Sequence, residues 1–379
     1  APAELVQALA ETLGETGRAV LGEMLERPLV VVTMMEHHSN LIPWMEAVGH
    51  HNLRAVRVDP RTGGLNLADL DRILETEGRR VRLVAVTGVS NVTGIVNPVH
   101  AIARRAHAVG AQILVDGAQW VPHGRVEMHA ADPAESIDYL VLSGHKLYAP
   151  GSRGALIGSL STLSGRRCVT DVGGGMVEYV TMDDFEIKDD VAAREEAGTP
   201  NIPGSIAMGL VGETLLRIGM DVVAEREHQL TERLVRRLER VPGLTLYGST
   251  DLSAVPRAGV VSFNLAGLHY GLVAAYLNDF HDIAVRHGCF CAHPYVKALI
   301  GVDEQTEASY RREMLCGDRR NVPGMVRASL GVYSTEDDVE ALGEALERLA
   351  RRADEMAGRY VGGLDGRFLA PGKGNDPLR

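Results

Sequence analysis

Val81-Arg-Leu-Val-Ala-Val-Thr87 is followed by Pro98-Val-His-Ala-Ile-Ala-Arg-Arg-Ala-His-Ala-Val-Gly110 and then by Gln112-Ile-Leu-Val115. The outer stretches are short, β-rich and almost wholly apolar, as strands covered on both faces are. The middle stretch sets Val99, Ile102 and Ala106 on one helical face, with Pro98 at its opening and Gly110 at its end. A helix of this length between two buried strands is the crossover of a parallel pair. Outward from this unit, Leu29–Thr33, Leu53–Val58, Tyr139–Leu142 and Ala155–Ser159 read as further strands, and Asn66 caps a helix carrying Leu67, Leu70 and Leu74. The alternation predicts an α/β domain with a mostly parallel sheet, spanning residues 1–217.

Beyond Arg217 the texture changes. A long charged helix (220–241), strands at Leu244–Tyr247 and Gly259–Leu265, a helix over Tyr270–Phe280, and strands at Ile283–Arg286 and Met325–Gly331 follow. A closing helix begins at Thr335, with Asp338 at capping-box spacing. This pattern predicts a smaller α+β domain over 218–361, and the Gly- and Pro-rich residues 362–379 are expected to be a flexible tail. At the other end, Leu5, Leu9 and Leu13 predict a helix over Glu4–Leu13.

Composition narrows the function. The 379 residues are 45% hydrophobic and 23% charged, enough apolar material for a real core. With 39 Lys and Arg against 50 Asp and Glu the net charge is −11, and no basic block tracks a phosphate backbone, so nucleic acid is not the expected partner. No apolar run reaches the roughly 20 residues of a membrane helix. Four cysteines in so long a chain make no disulfide framework, so a cytoplasmic location is expected.

Reactive groups of open parallel sheets collect at the carboxyl ends of strands, and four such ends carry chemistry here. Leu140-Val-Leu-Ser-Gly-His-Lys146 closes a strand with Ser143, His145 and Lys146, a lysine suited to a Schiff base beside anion-binding donors. Ile113-Leu-Val-Asp116 ends on a carboxylate that needs a cationic partner, and a pyridinium nitrogen would suit it as well as a simple turn cap would. A third end offers Asn91 and a fourth His37 and His38. The adjacent histidines face apart and lack a third ligand at a metal-like spacing, so no metal site is expected.

Glu36-His-His-Ser-Asn40 with Pro43-Trp44, Val89-Ser-Asn-Val92, Val115-Asp-Gly-Ala-Gln119 and Ser143-Gly-His-Lys146 come in that order. Gly173-Gly-Gly-Met176, Glu196-Ala-Gly-Thr-Pro-Asn201 and Val326-Arg-Ala-Ser329 follow. The set resembles the class V (NifS-like) aminotransferase superfamily over about Leu29 to Leu349, and more closely the group II cysteine desulfurases and selenocysteine lyases. The resemblance implies the fold type I of pyridoxal 5′-phosphate (PLP) transferases. It implies Lys146 as the Schiff-base lysine and proton carrier, Asp116 on the ring nitrogen, His37 stacked on the ring, and Asn91 and Gln119 beside it. Ser143 and His145 would hold the phosphate. Thr199 would reach the phosphate of a second subunit in a homodimer with shared active sites. Arg327, with Arg286 as a weaker companion, would grip the carboxylate of an amino-acid substrate.

The stretch Ala284-Val-Arg-His-Gly-Cys-Phe-Cys-Ala-His-Pro294 decides the reaction. Cys291 stands where the resembling desulfurases carry the thiol that attacks the substrate sulfur, leaving alanine and an enzyme persulfide for a sulfur-acceptor protein. His287, His293 and Arg286 are expected to favour its thiolate. Epimerisation, transamination and β-elimination are the alternatives on the same fold, and a cofactor-impaired, non-catalytic relative is the third reading. Cys289 has no role in the resemblance, and Cys168 and Cys316 read as incidental. Residues 302–324 exceed the family's usual connection; a solvated surface loop is expected ahead of a lid on the site or a partner contact. The family's first phosphate loop and N-terminal arm are not found before Glu4, so the chain is expected to be N-terminally incomplete and to hold PLP more weakly.

Overall fold

The computed structural model describes residues 28–164 and 172–370. The expected helix at Glu4–Leu13, Cys168 and the last nine residues lie outside them. Six strands build the larger sheet: β1 (Leu29–Thr33), β2 (Leu53–Val56), β3 (Val81–Thr87), β4 (Gln112–Asp116), β5 (Tyr139–Ser143) and β6 (Gly154–Gly158). They lie in the order β2-β1-β3-β4-β5-β6, parallel except for β6, which returns against β5 after a turn with no crossover helix. Because β1 to β5 run one way, their carboxyl ends open on one side.

The helices on this sheet form for local reasons. Asn66 caps Leu67–Glu77 by accepting the Asp69 N–H at 3.2 Å, and Pro98 precedes Val99–Ala108. Their apolar stripes, Leu70, Ile73 and Leu74 with Ile102, Ala103 and Ala106, bury against Val84, Val86, Ile113 and Val115. The strand at Leu53 stops at Val56, because Val58 turns away to bridge Leu65.

A hairpin of β7 (Val177–Val180) and β8 (Phe185–Ile187) and a helix over Ile202–Ile218 lead to the second sheet. Its strands are β9 (Leu244–Tyr247), β10 (Val260–Leu265), β11 (Arg286–Gly288) and β12 (Met325–Ser329), all antiparallel in the order β11-β12-β10-β9. Helices Met220–Leu238, Tyr270–His281 and Glu336–Arg351 pack on it through Leu234, Leu238, Leu277, Leu342 and Leu346. Thr335 and Asp338 close the capping box of the last. No helix among the described residues is long and apolar enough to cross a membrane.

The two sheets join through a third apolar cluster, in which Met35, Val92 and Ile95 meet Phe290, Tyr295, Val296 and Met325. Polar links run across it. Tyr295 donates to Gly63 O at 2.6 Å, and buried Arg257 reaches Thr93 O at 2.7 Å and Ser249 O at 2.9 Å. The side of the larger sheet on which the β1 and β3 carboxyl ends open is therefore packed against the second sheet.

Three expectations are corrected. The strand placed at Ile283–Arg286 forms at Arg286–Gly288, because Asp282 ends the preceding helix in a left-handed conformation and the next residues turn out of it. Residues 302–324 are not a bare loop. Asp303 caps a helix over Glu304–Leu315, Glu307 pairs with Lys297, and Val322 O accepts from the Tyr270 hydroxyl at 2.7 Å. The tail expected from Gly362 begins instead as a docked hairpin: Val361–Gly362 pairs with Phe368–Leu369, and Phe368 stacks on His269 at 4.7 Å.

Candidate active site

The turn that follows β5 presents Lys146. Its N–H returns to Ser143 O at 3.1 Å, and Gly144 is required because a Cβ there would lie 2.2 Å from the backbone Arg153 O. Burial pushes the Lys146 ammonium below the ordinary lysine range, against the attraction of Asp116 and Cys291 and with the repulsion of Arg327. Three sequence-predicted residues are thus within electrostatic reach of this amine.

His37 faces the same space from the turn after β1. Its Nδ1 accepts the Ser39 N–H at 3.1 Å, and burial, then Lys146, lower its pKa, so the ring is neutral near pH 7. Asp116, the last residue of β4, accepts the Ala118 N–H at 2.9 Å. Ser143 Oγ and His145 Nδ1 lie 3.0 Å apart on the rim.

Near Asp116 the structure places a carboxyl that sequence reasoning left without a role. Glu36 is fully buried. It takes Thr33 Oγ1–H at 2.6 Å, Asn40 Nδ2–H at 2.6 Å and Thr87 N–H at 3.0 Å. Burial, with Asp116 adding to it, outweighs these bonds and raises its pKa to about 8. Its position just past a five-residue apolar strand was the available signal, the same one that marked Asp116.

The other wall comes from the second sheet. Arg327, on β12, donates Nη1–H to Asn91 O at 2.8 Å and lies over the Phe290 ring, 5.1 Å from its centroid. Its Nε is buried and has no hydrogen-bond partner among the described residues, and burial lowers its pKa to about 10, with Arg286 adding repulsion. A buried guanidinium N–H without an acceptor is a seat for a carboxylate. Arg286 faces Arg327 across the β11–β12 register and is exposed.

Cys291 is exposed on a tight turn closed by Ala292 N–H to Cys289 O at 2.9 Å. The expected neighbours divide. His293 meets His38 edge to face at 4.6 Å, whereas His287 lies against Tyr270. Cys291 is among the groups whose charge acts on Lys146. Asn91 directs its Nδ2–H to Phe290 O at 2.7 Å, so this side chain serves the turn, and Gln119 is buried beyond β4. Thr199 is exposed before the Ile202 helix and joins none of these groups.

A lysine whose amine is favoured by burial, a carboxylate at the neighbouring strand end and a neutral imidazole form the donor set that pyridoxal phosphate needs for its aldehyde, ring nitrogen and ring face. The residues present fit that cofactor.

Comparison with known proteins points the same way. The profile of the family described as Aminotransferase class-V matches residues 18–342. A cysteine desulfurase of Dickeya dadantii is 37% identical, covering 86% of this chain and 71% of that protein. A probable cysteine desulfurase of Halalkalibacterium halodurans is 34% identical over 88% and 72%. Among solved structures, the apo cysteine desulfurase of Thermococcus onnurineus superimposes with a TM-score of 0.70 at 32% identity, covering 87% of this chain and 74% of that one.

Proposed function

The chain belongs to the class-V aminotransferase family, and on that premise we propose that it is a pyridoxal phosphate-dependent cysteine desulfurase working through Cys291. The observation that carries this reading is the meeting of Lys146, Asp116 and His37 from one sheet with Arg327 and Cys291 from the other. The cofactor, when bound, supplies an electron sink for the pair left at the substrate α-carbon. Lys146 would hold its aldehyde, Asp116 its ring nitrogen, His37 its face, with Gln119 beside the ring and Ser143 and His145 at the phosphate.

The protein's own groups divide the remaining work. Arg327 seats the substrate carboxylate on its free Nε. Lys146, favoured as a neutral amine, carries a proton to and from the substrate α-carbon. Cys291, as thiolate, attacks the substrate sulfur; the new S–S bond forms as the carbon–sulfur bond breaks, and the pair goes to carbon and is protonated. The balance is cysteine plus the Cys291 thiol giving alanine plus the Cys291 persulfide. An exposed Cys291 supports release of that sulfur to an acceptor protein.

Ile202, Ile206 and Leu210 on the helix after Thr199, with Tyr179, Val180 and Phe185 of the hairpin, form exposed apolar surface among the described residues. This supports a homodimer in which Thr199 reaches the second copy's phosphate site. Free thiols at Cys289 and Cys291 support a reducing, cytoplasmic setting.

The test gives L-cysteine to the PLP-loaded protein and measures alanine and sulfide. Borohydride should fix a pyridoxyl group on Lys146, read by peptide mass. Cys291→Ala should keep that modification and lose sulfide release; full sulfide output from this variant would remove Cys291 from the mechanism.

A further inference from the structure

The turn Cys289-Phe-Cys-Ala292 has two consecutive residues with side chains in left-handed backbone, Phe290 at φ 52° and Cys291 at φ 55°. For a bulky residue this conformation is an outlier that persists only where the surroundings over-determine it. The surroundings here are explicit. Asn91 donates to Phe290 O at 2.7 Å, the His38 N–H to Cys291 O at 2.7 Å, and the Cys289 thiol to Pro323 O at 2.8 Å. The Phe290 ring is buried beneath the Arg327 guanidinium, and Arg327 in turn holds Asn91 O. One closed circuit therefore runs from the carboxylate seat through Asn91 and Phe290 to the thiol.

We propose that Phe290 is a positioning residue that locks the Cys291 turn in its strained form and, through Arg327, tightens that turn when a carboxylate occupies the seat. The proposal rests on the desulfurase reading only for what the thiol then does. Arg327 sits over one face of the ring while its Nε lacks an acceptor. A carboxylate on Nε fixes the guanidinium, and a fixed guanidinium holds both the ring and Asn91 O. Cys289 receives a role by the same geometry, as an anchor of the turn to the segment leading into β12. The thiol becomes a reporter of the substrate seat.

The test reads the thiol directly as well as turnover. PLP-loaded protein is alkylated with iodoacetamide, and the rate at Cys291 is followed by peptide mass with and without saturating L-alanine, a carboxylate with no sulfur to react. Alanine should slow wild-type alkylation several-fold. Phe290→Gly is informative because glycine adopts φ 52° freely, so the turn itself remains permitted and only the ring is lost. This variant should alkylate about tenfold faster, with the alanine effect gone. Its kcat for alanine formation should fall about tenfold while KM for cysteine moves no more than about twofold. Phe290→Gly with wild-type alkylation, alanine response and kcat overturns the proposal. If that variant does not fold, Phe290→Leu, which keeps buried bulk but not the aromatic face, should still lose the alanine response; keeping it overturns the proposal equally. Sulfide release surviving in Cys291→Ala would sink the desulfurase reading and leave the alkylation result standing.

Discussion

At the ends of β1, β4 and β5 the groups that fit the cofactor stand on or just past strands paired on both sides within the larger sheet, and their backbone positions are those of the sheet itself. Across from them Cys291 stands on a turn of unfavourable backbone, held by hydrogen bonds from Asn91 and His38, by the Cys289 thiol donating to Pro323 O and by one buried ring. The difference separates two duties. The sheet side needs fixed donors for chemistry shared by a whole family, whereas the turn side sets which bond breaks and can be altered by a few side chains. Substitutions on the first side should remove chemistry with little change of position, and those on the second should change position first.

The largest effect is expected from Lys146→Ala. The sheet should fold unchanged, with a melting temperature near wild type, because Lys146 lies on a turn and its amine makes no strand-ordering hydrogen bond among the described residues. Alanine formation should fall by about four orders of magnitude or more, since both the cofactor's attachment and the proton carrier are lost. A variant that keeps a tenth of wild-type turnover would mean that the two walls are misassigned.

The contrast also explains what sequence could show. Buried strands announce themselves as apolar runs, so β1, β3, β4 and β5 and the residues at their ends were legible, Asp116 and Lys146 among them. The family, fold type and cofactor were legible from motif order. Turn geometry was not. Nothing in Cys-Phe-Cys declares a left-handed pair, because the tethers come from Asn91 and Arg327, far away in the chain. Asn91 is expected beside the cofactor ring from the resemblance, and only the fold shows that its Nδ2–H also reaches Phe290 O. The helix in 304–315 was missed because the partner of its Glu307, Lys297, lies outside the segment, as does Tyr270, which holds the stretch after the helix at Val322 O.

On the turn side, Arg327→Lys sharpens the comparison. Lysine keeps the charge but has no planar fork, so it cannot hold Asn91 O, cover the Phe290 ring and present a further N–H to the substrate together. Loss of kcat/KM for cysteine should be about a hundredfold, and the larger share should fall in KM. Equal losses in kcat and kcat/KM, with KM unchanged, would contradict a carboxylate seat.

The smallest effect, and the one that reaches behind both walls, concerns Glu36. Its carboxyl ties β1 to β3 and to the turn that carries His37, through Thr33, Thr87 and Asn40. In the folded protein its pKa is raised from 4.5 to about 8, chiefly by burial. Below the lower value both folded and unfolded chains hold the proton, and the favourable contribution is complete. As pH rises above 4.5 the unfolded chain gives up its proton while the folded one retains it, so stability declines and the contribution is gone once the pH passes about 8. Wild type should therefore melt several degrees lower at pH 9 than at pH 6. Glu36→Gln cannot titrate; it loses one acceptor, which lowers its melting temperature by a constant amount, and its curve should be flatter through the same window. Parallel curves for the two proteins would show that Glu36 is already ionised in the fold. The three donors would then have overcome burial, and His37 would stand on a second fixed negative charge beside Asp116.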